Sequence, residues 1–303
     1  MADEKNTYEV LILGAGPASF AAGIYAARYQ IKSCIIGKEL GGLAATTHLV
    51  ENYPGYKSIS GPDLMKKMQE HAESLNVPIV QTNIKEAKKE GELFRIITDK
   101  EDYFGKYLIV ALGTKRRKLN IPGEDKFYGK GVTYCATCDG PLFKGMNVAV
   151  VGGGDAAFKT ALFMSDIANK VYLLVRSDRF KAEPINIESV KKRQNIEIKT
   201  FAEVKEIRGE QLVSSVLLKD NSELKVEAVL IEIGQVPSTA IVKELGIEMD
   251  EYGYVKVDKN MATNIARVYA AGDITNETEF KQIITAASQG SRAIHSIFNA
   301  KSK

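Results

Sequence analysis

Two stretches of this chain share one pattern: an apolar run, a glycine-rich turn, then an Ala-rich run at helical spacing. In the first, Tyr8-Glu-Val-Leu-Ile-Leu13 predicts a strand, and Gly14-Ala-Gly16-Pro17-Ala18-Ser19 predicts a tight turn. Phe20 to Tyr29 predicts a helix whose small residues, Gly23 and Ala27, allow close approach to a sheet. In the second, Met146-Asn-Val-Ala-Val-Val151 is the strand and Gly152-Gly-Gly154-Asp155-Ala156-Ala157 the turn. Phe158 to Ala168 is the helix, and Val171-Tyr-Leu-Leu-Val175 is the next strand. Tyr107–Leu112 and Val229–Ile233 also read as strands, ended at corresponding places by Gly113 and Gly234. Late in the chain Val268-Tyr-Ala-Ala-Gly272-Asp273 predicts a further strand closing in Gly-Asp.

A strand, a Gly-x-Gly turn and a helix in that order form a dinucleotide-binding unit of the Rossmann kind. Gly14 permits the turn, and Gly16 lets backbone N–H groups approach a pyrophosphate at the positive end of the helix. Ser19 replaces the usual third small residue. Gly152 and Gly154 repeat the arrangement, so two dinucleotides are expected. An ionised Asp273 only accepts hydrogen bonds and suits a ribityl or ribose hydroxyl. If Asp273 serves the first nucleotide, the C-terminal part of the chain completes the first domain and the second domain is an insertion.

Length and charge leave this picture intact. The 303 residues suggest two domains, and a net charge of +3 calls for neither nucleic acid nor an anionic membrane as partner. No run of about 18 apolar residues appears, so no membrane span is expected. The start, Met1-Ala2-Asp3-Glu4-Lys5, lacks the basic and apolar segments of a signal peptide.

The cysteines change more. There are three, and two form Thr133-Tyr-Cys135-Ala-Thr-Cys138-Asp139-Gly140, just before the second glycine-turn strand. Two sulfurs at this spacing suffice for disulfide exchange through a mixed disulfide. A zinc site needs four ligands. Cys34 lies in an apolar strand, and His48, His71 and His295 show no ligand spacing, so no metal is expected and Cys34 reads as an inert buried residue. Asp139 can supply the proton that a leaving thiolate needs, or it can simply cap a turn.

With these landmarks in order, the chain resembles the low-molecular-weight thioredoxin reductases over nearly its whole length. The matching segments are Gly14-Ala-Gly-Pro17, Gly41-Gly42, Val50-Glu-Asn52-Tyr-Pro-Gly55, Ala111-x-Gly113-Thr114 and Cys135-Ala-Thr-Cys-Asp139. They continue with Gly152-Gly-Gly154, Gly234-x-x-Pro237, Ala271-Gly-Asp273 and Gln282-x-x-x-Ala286-Ala287. The resemblance implies an α/β fold of two Rossmann-like FAD/NAD(P)-binding domains, each a three-layer ββα arrangement. Residues 1–115 and 241–303 would bind FAD, and 116–240 would form the inserted NAD(P)-binding-like domain with the cysteines. It implies electron flow from a donor to FAD, then to the Cys135–Cys138 disulfide, then to thioredoxin or a similar dithiol protein. Cys138 would be the sulfur nearer the flavin, Cys135 the attacking one, and Asp139 the proton donor. Expected flavin contacts are Gly14, Gly16, Pro17, Ala18, Gly41, Gly42, Asn52, Ala111, Gly113, Gly272, Asp273, Gln282 and Ile283. Expected donor contacts are Gly152, Gly154, Asp155, Ala156, Arg176, Arg179 and Lys181. A homodimer follows from the same resemblance, as does a hinge rotation near Gly113 and Gly234. A cytoplasmic setting is expected because reduced dithiol carriers work there.

Two places depart from the family pattern. Leu43 stands where a Gln usually follows Gly41-Gly42. After the second-unit strand, where NADPH-using members carry His-Arg-Arg and a further Arg, this chain reads Val175-Arg176-Ser177-Asp178-Arg179-Phe180-Lys181. The helix has Lys159-Thr160 where a Glu pair is common. NADPH gripped by Arg176, Arg179 and Lys181 is one donor; NADH, or a carrier without nicotinamide such as ferredoxin or reduced deazaflavin, are the others. A nucleotide- or metal-sensing regulator on the same fold is the rival outside enzymes, and the intact cysteine pair argues against it.

Overall fold

The computed structural model describes residues 6–47 and 49–301, so His48 and Met1–Lys5 lie outside the described residues. The chain forms two compact units. One holds the chain up to Lys115 and again from Val236, the other Arg116–Gln235.

The first unit begins with β1 (Thr7–Leu13) and α1 (Pro17–Arg28). The helix starts at Pro17, earlier than the Ala-rich run alone predicts, because proline at the first helical position needs no N–H partner and has its φ preset. Next come β2 (Ser33–Gly37), a short 3-10 helix over Gly42–Thr46, and α2 (Gly61–Ser74), capped by Ser60 Oγ accepting from Asp63 N at 3.1 Å. β3 (Ile79–Gln81), β4 (Ile84–Glu90), β5 (Leu93–Thr98), β6 (Tyr103–Val110) and β7 (Thr114–Arg116) follow. The other unit holds β8 (Val132–Thr133), α3 (Ala136–Asp139), β9 (Asn147–Val151), α4 (Asp155–Ser165), β10 (Lys170–Leu174), α5 (Pro184–Lys191) and β11 (Ile196–Lys199). It continues through β12 (Val204–Gly209), β13 (Val213–Leu218), β14 (Glu223–Lys225) and β15 (Ala228–Ile231). After β16 (Gln235–Pro237) the chain rejoins the first unit, with β17 (Val268–Ala270) and α6 (Ile283–Lys301).

In the first unit β3, β2, β1, β6 and β17 run parallel in that order. The β4–β5 hairpin joins antiparallel along the first residues of β6. Side-chain alternation along β1 sorts the two faces. Val10 and Ile12 meet Phe20, Ala22 and Ile294 of α1 and α6, while Leu11 and Leu13 meet Phe94, Ile96 and Val255 on the other face. Each fully buried Val, Leu, Ile or Phe side chain among these contributes roughly 1.5–3 kcal/mol. The other unit repeats the design. A parallel sheet β11-β10-β9-β15-β8 has α4 on one face and the antiparallel β12-β13-β14 layer on the other.

The duplicated turn is enforced by backbone. Gly14 has φ +111°, and a Cβ there would lie 2.2 Å from the Ala111 carbonyl oxygen. Gly152 has φ +149°, and its Cβ would lie 2.1 Å from the Glu232 carbonyl oxygen. Only glycine meets both conditions. Among the described residues no helix is long and apolar enough to cross a membrane.

Candidate active site

In the first unit the flavin candidates gather around the β1–α1 turn. Gly41 N donates to Ala15 O at 2.7 Å, which ties the Gly41-Gly42 bend to that turn. Ala111 N donates to Leu13 O at 2.7 Å, setting the end of β6 beside the end of β1. Gly272 lies against Ala18, since a Cβ on it would meet the Ala18 Cβ at 3.2 Å. Its N–H donates to Gln289 Oε1 at 2.7 Å. Asn52 Nδ2 donates to Gln282 Oε1 at 3.1 Å, and Ile283 opens α6 directly after. Gly113 lies between the end of β6 and the start of β7.

The space beside the turn fits a pyrophosphate. A Cβ on Gly16 would find nothing nearer than Gly41 O at 3.9 Å, and one on Gly42 nothing nearer than Gly16 Cα at 3.8 Å. Two adjacent glycines thus leave a cradle open at the N-terminus of α1, where N–H groups point outward. Burial pushes the Asp273 carboxyl above its ordinary value, opposed by nearby Lys281. Burial likewise lowers the Lys281 ammonium, against the pull of Asp273, Asp250 and Glu277.

In the other unit Cys135 and Cys138 form a disulfide with S–S 2.14 Å and Cα atoms 5.3 Å apart. Cys135 caps α3, its Sγ accepting from Cys138 N at 3.2 Å, and Asp139 N returns to Cys135 O at 3.1 Å. Cys138 is exposed; Cys135 and Asp139 are half-buried. Thr133, paired with Leu230 through β8, accepts from Cys135 N at 3.0 Å and donates its hydroxyl to Asp139 Oδ2. The free thiol, Cys34, is buried, and that burial pushes it up to about 12. It therefore stays a thiol, which is neither nucleophile nor ligand. Among the described residues no group of three or more His, Cys, Asp or Glu is arranged to hold a metal.

Around the second turn the donor candidates divide. A Cβ on Gly154 would find nothing within 4 Å, so the approach there is open. Arg176, Arg179 and Lys181 are exposed, and Lys181 N donates to Gly153 O at 2.7 Å, which seats the basic loop against the turn. Asp155, at the first position of α4, is engaged by protein groups. It accepts from Asn186 Nδ2 at 2.7 Å and Glu183 N at 3.1 Å, and pairs with Lys159 at 2.8 Å. Burial works against its ionisation, but these donors together hold its carboxyl below the usual range. Ala156 follows it in the same first turn.

Sequence reasoning missed several groups. Glu232, just after β15, is buried with Arg116 Nη1 at 2.8 Å and Thr160 Oγ1 at 3.2 Å. Burial raises its carboxyl, and Arg116 opposes that shift. Gln289 lies inside α6, about two turns beyond Gln282, which immediately precedes the helix. Two surface concavities, about 330 Å³ beside Asp63 and Lys66 and about 190 Å³ beside Lys118 and Tyr134, contain neither glycine turn.

The model of the pyridine nucleotide-disulphide oxidoreductase family matches residues 8–290. The chain belongs to this family. Within the oxidoreductases, its relatives include the thioredoxin reductase of Coxiella burnetii, 40% identical over 307 residues, covering 96% of this chain and 95% of that protein. The thioredoxin reductase of Mycolicibacterium smegmatis is 37% identical over 301 residues, covering 97% and 96%. The crystal structure of T. acidophilum thioredoxin reductase matches with TM-score 0.94 at 36% identity, covering 98% of this chain and 100% of that one. This oxidoreductase therefore works with FAD and an electron donor, and its fold is the two-domain nucleotide-binding one expected.

Proposed function

We propose that this oxidoreductase reduces the disulfide of thioredoxin or a similar dithiol protein, with NADPH as donor. The observation that carries the reading is the Cys135–Cys138 disulfide, held in a loop whose hydroxyl and carboxylate are already in place. FAD, when bound, supplies the two-electron carrier between donor and disulfide. Gly14, Gly16, Pro17 and Ala18 would hold its pyrophosphate, with Gly41, Gly42, Ala111, Gly113 and Gly272 lining the space. Asp273 would accept from its hydroxyls, and Asn52, Gln282 and Ile283 would complete the site.

Two electrons open the Cys135–Cys138 bond to a dithiol. The Cys135 thiolate then attacks one sulfur of the partner's disulfide; that S–S bond breaks and a Cys135–partner bond forms. The departing partner thiolate takes a proton from Asp139, whose carboxyl Thr133 orients. Cys138, as thiolate, attacks Cys135, restores the internal disulfide and releases the partner as a dithiol once its second sulfur is protonated. Gly152, Gly154 and Ala156 would receive the donor's pyrophosphate. Arg176, Arg179 and Lys181 would grip its 2′-phosphate, where planar cations are hard to replace. Asp155 would act by fixing the start of α4.

A second reading has its own support. Ser177 and Lys181 stand where NADPH-using members carry arginines, which supports a donor other than NADPH. We also propose a homodimer, from family resemblance, and a cytoplasmic setting, where reduced dithiol carriers work. Anaerobic mixing of the oxidised, FAD-loaded enzyme with NADPH and, separately, NADH tests the donor. Prompt bleaching by NADPH alone is expected; bleaching by neither, with dithionite still effective, would replace NADPH with another carrier.

A further inference from the structure

Glu124 is only 2% exposed, yet no cation is among its hydrogen-bond partners. Its Oε1 accepts from Leu119 N at 2.9 Å and its Oε2 from Asn120 N at 2.6 Å, closing the 119–124 bend. The remaining donor comes from elsewhere in the unit: the Tyr134 hydroxyl, bonded to Oε1. Tyr134 is the residue before Cys135. On its other side Thr133 lies in β8, and the Thr133 hydroxyl binds both Cys135 N and Asp139. The backbone leading into Cys135 is thus fixed at two successive side chains, one of which ends on a buried carboxylate. Burying a carboxylate whose hydrogen bonds all come from neutral donors is costly, even with the Lys118 charge near it. Folding the bend needs two of them; the third serves the residue next to the reactive sulfur.

We propose that Glu124 and Tyr134 are positioning residues for Cys135: the carboxylate holds the phenol, and the phenol sets the direction from which the Cys135 thiolate meets a partner's disulfide. Neither touches sulfur. The inference rests on the proposed exchange chemistry but not on the identity of the donor.

The test uses the full FAD-loaded chain, reduced anaerobically with dithionite, freed of excess reductant by gel filtration and mixed with excess DTNB, a small disulfide that needs no docking surface. Tyr134→Phe keeps the ring and removes only the bond to Glu124. The second-order rate constant for DTNB cleavage should fall on the order of tenfold, because small misplacements of a nucleophile are expensive. The flavin content, the thermal midpoint and the rate of flavin bleaching by dithionite should stay as in the parent. Glu124→Gln should slow the step similarly, and the double variant should be no slower than Glu124→Gln, as for residues acting as one unit. Should Glu124→Gln not fold, Tyr134→Phe decides alone. A Tyr134→Phe rate within twofold of the parent would overturn the proposal, as would single effects that multiply in the double variant. If the parent itself, fully reduced, fails to cleave DTNB, the exchange chemistry falls, and the positioning role with it.

Discussion

The two glycine turns are built alike and furnished differently. Behind Gly14 stands Ala111, the first residue after β6; behind Gly152 stands Glu232, the first residue after β15. In both, a carbonyl oxygen occupies the space a side chain would need. In the first unit the residue behind the turn ends there, at a methyl group. In the second it continues into a carboxylate buried with Arg116 and Thr160. The difference separates two kinds of constraint. The glycine is demanded by how strand ends pack, whatever is bound. The ligand is chosen by the side chains around the turn: Asp273 in one unit, a basic loop and two engaged carboxylates in the other, with an open glycine in each.

The largest expected effect sets the sulfurs of one unit against the flavin of the other. Cys138→Ser should lower reduction of DTNB or thioredoxin on the order of 10³-fold or more, as for loss of a group acting within a unit. Flavin bleaching by the donor should survive; its loss would mean the pair also governs the donor half. Next, Gly14→Ala and Gly152→Ala should each cost about 3 kcal/mol or more, by collision with backbone and strain at positive φ. Gly14→Ala should lose FAD while Gly152→Ala keeps it, read by absorbance of the purified proteins. Equal loss of FAD from both would erase the distinction between the turns.

Much of this was legible in the sequence because its causes are local. The apolar runs and glycine turns need only neighbours in the chain and one nearby carbonyl. The Cys135–Cys138 spacing carries its own disulfide geometry. What stayed hidden joins residues far apart. Arg116 and Glu232 are separated by 116 positions, and neither marks the other in advance. Gln289 on Gly272 and Glu124 on Tyr134 are closer in the chain, but each spans two different elements and neither partner announces the other. The start of α1 at Pro17 is a smaller case, where cap chemistry outran the apolar pattern.

A smaller effect sharpens the donor side. Arg176→Ala or Lys181→Ala should raise the KM for NADPH about tenfold, the worth of one charge-assisted hydrogen bond, with NADH barely affected. Unchanged NADPH kinetics in both would remove the basic loop from the donor site. The smallest effect is at Cys34, where Cys34→Ala should leave turnover as it was. Its raised thiol binds its proton more tightly in the folded state. The stability this gives is complete below the ordinary value of 9.0 and fades as pH climbs toward about 12. Alkaline denaturation curves should therefore be less steep for Cys34→Ala, and iodoacetamide should spare Cys34 in the native protein.

The most direct measurement counts thiols. Oxidised, FAD-loaded enzyme is treated anaerobically with NADPH, and with dithionite in parallel, then trapped with iodoacetamide and mapped by mass spectrometry. Label appearing on Cys135 and Cys138 together as the flavin band bleaches, with Cys34 unlabelled, is the predicted result. A flavin fully reduced by dithionite beside an untouched Cys135–Cys138 bond would contradict the account.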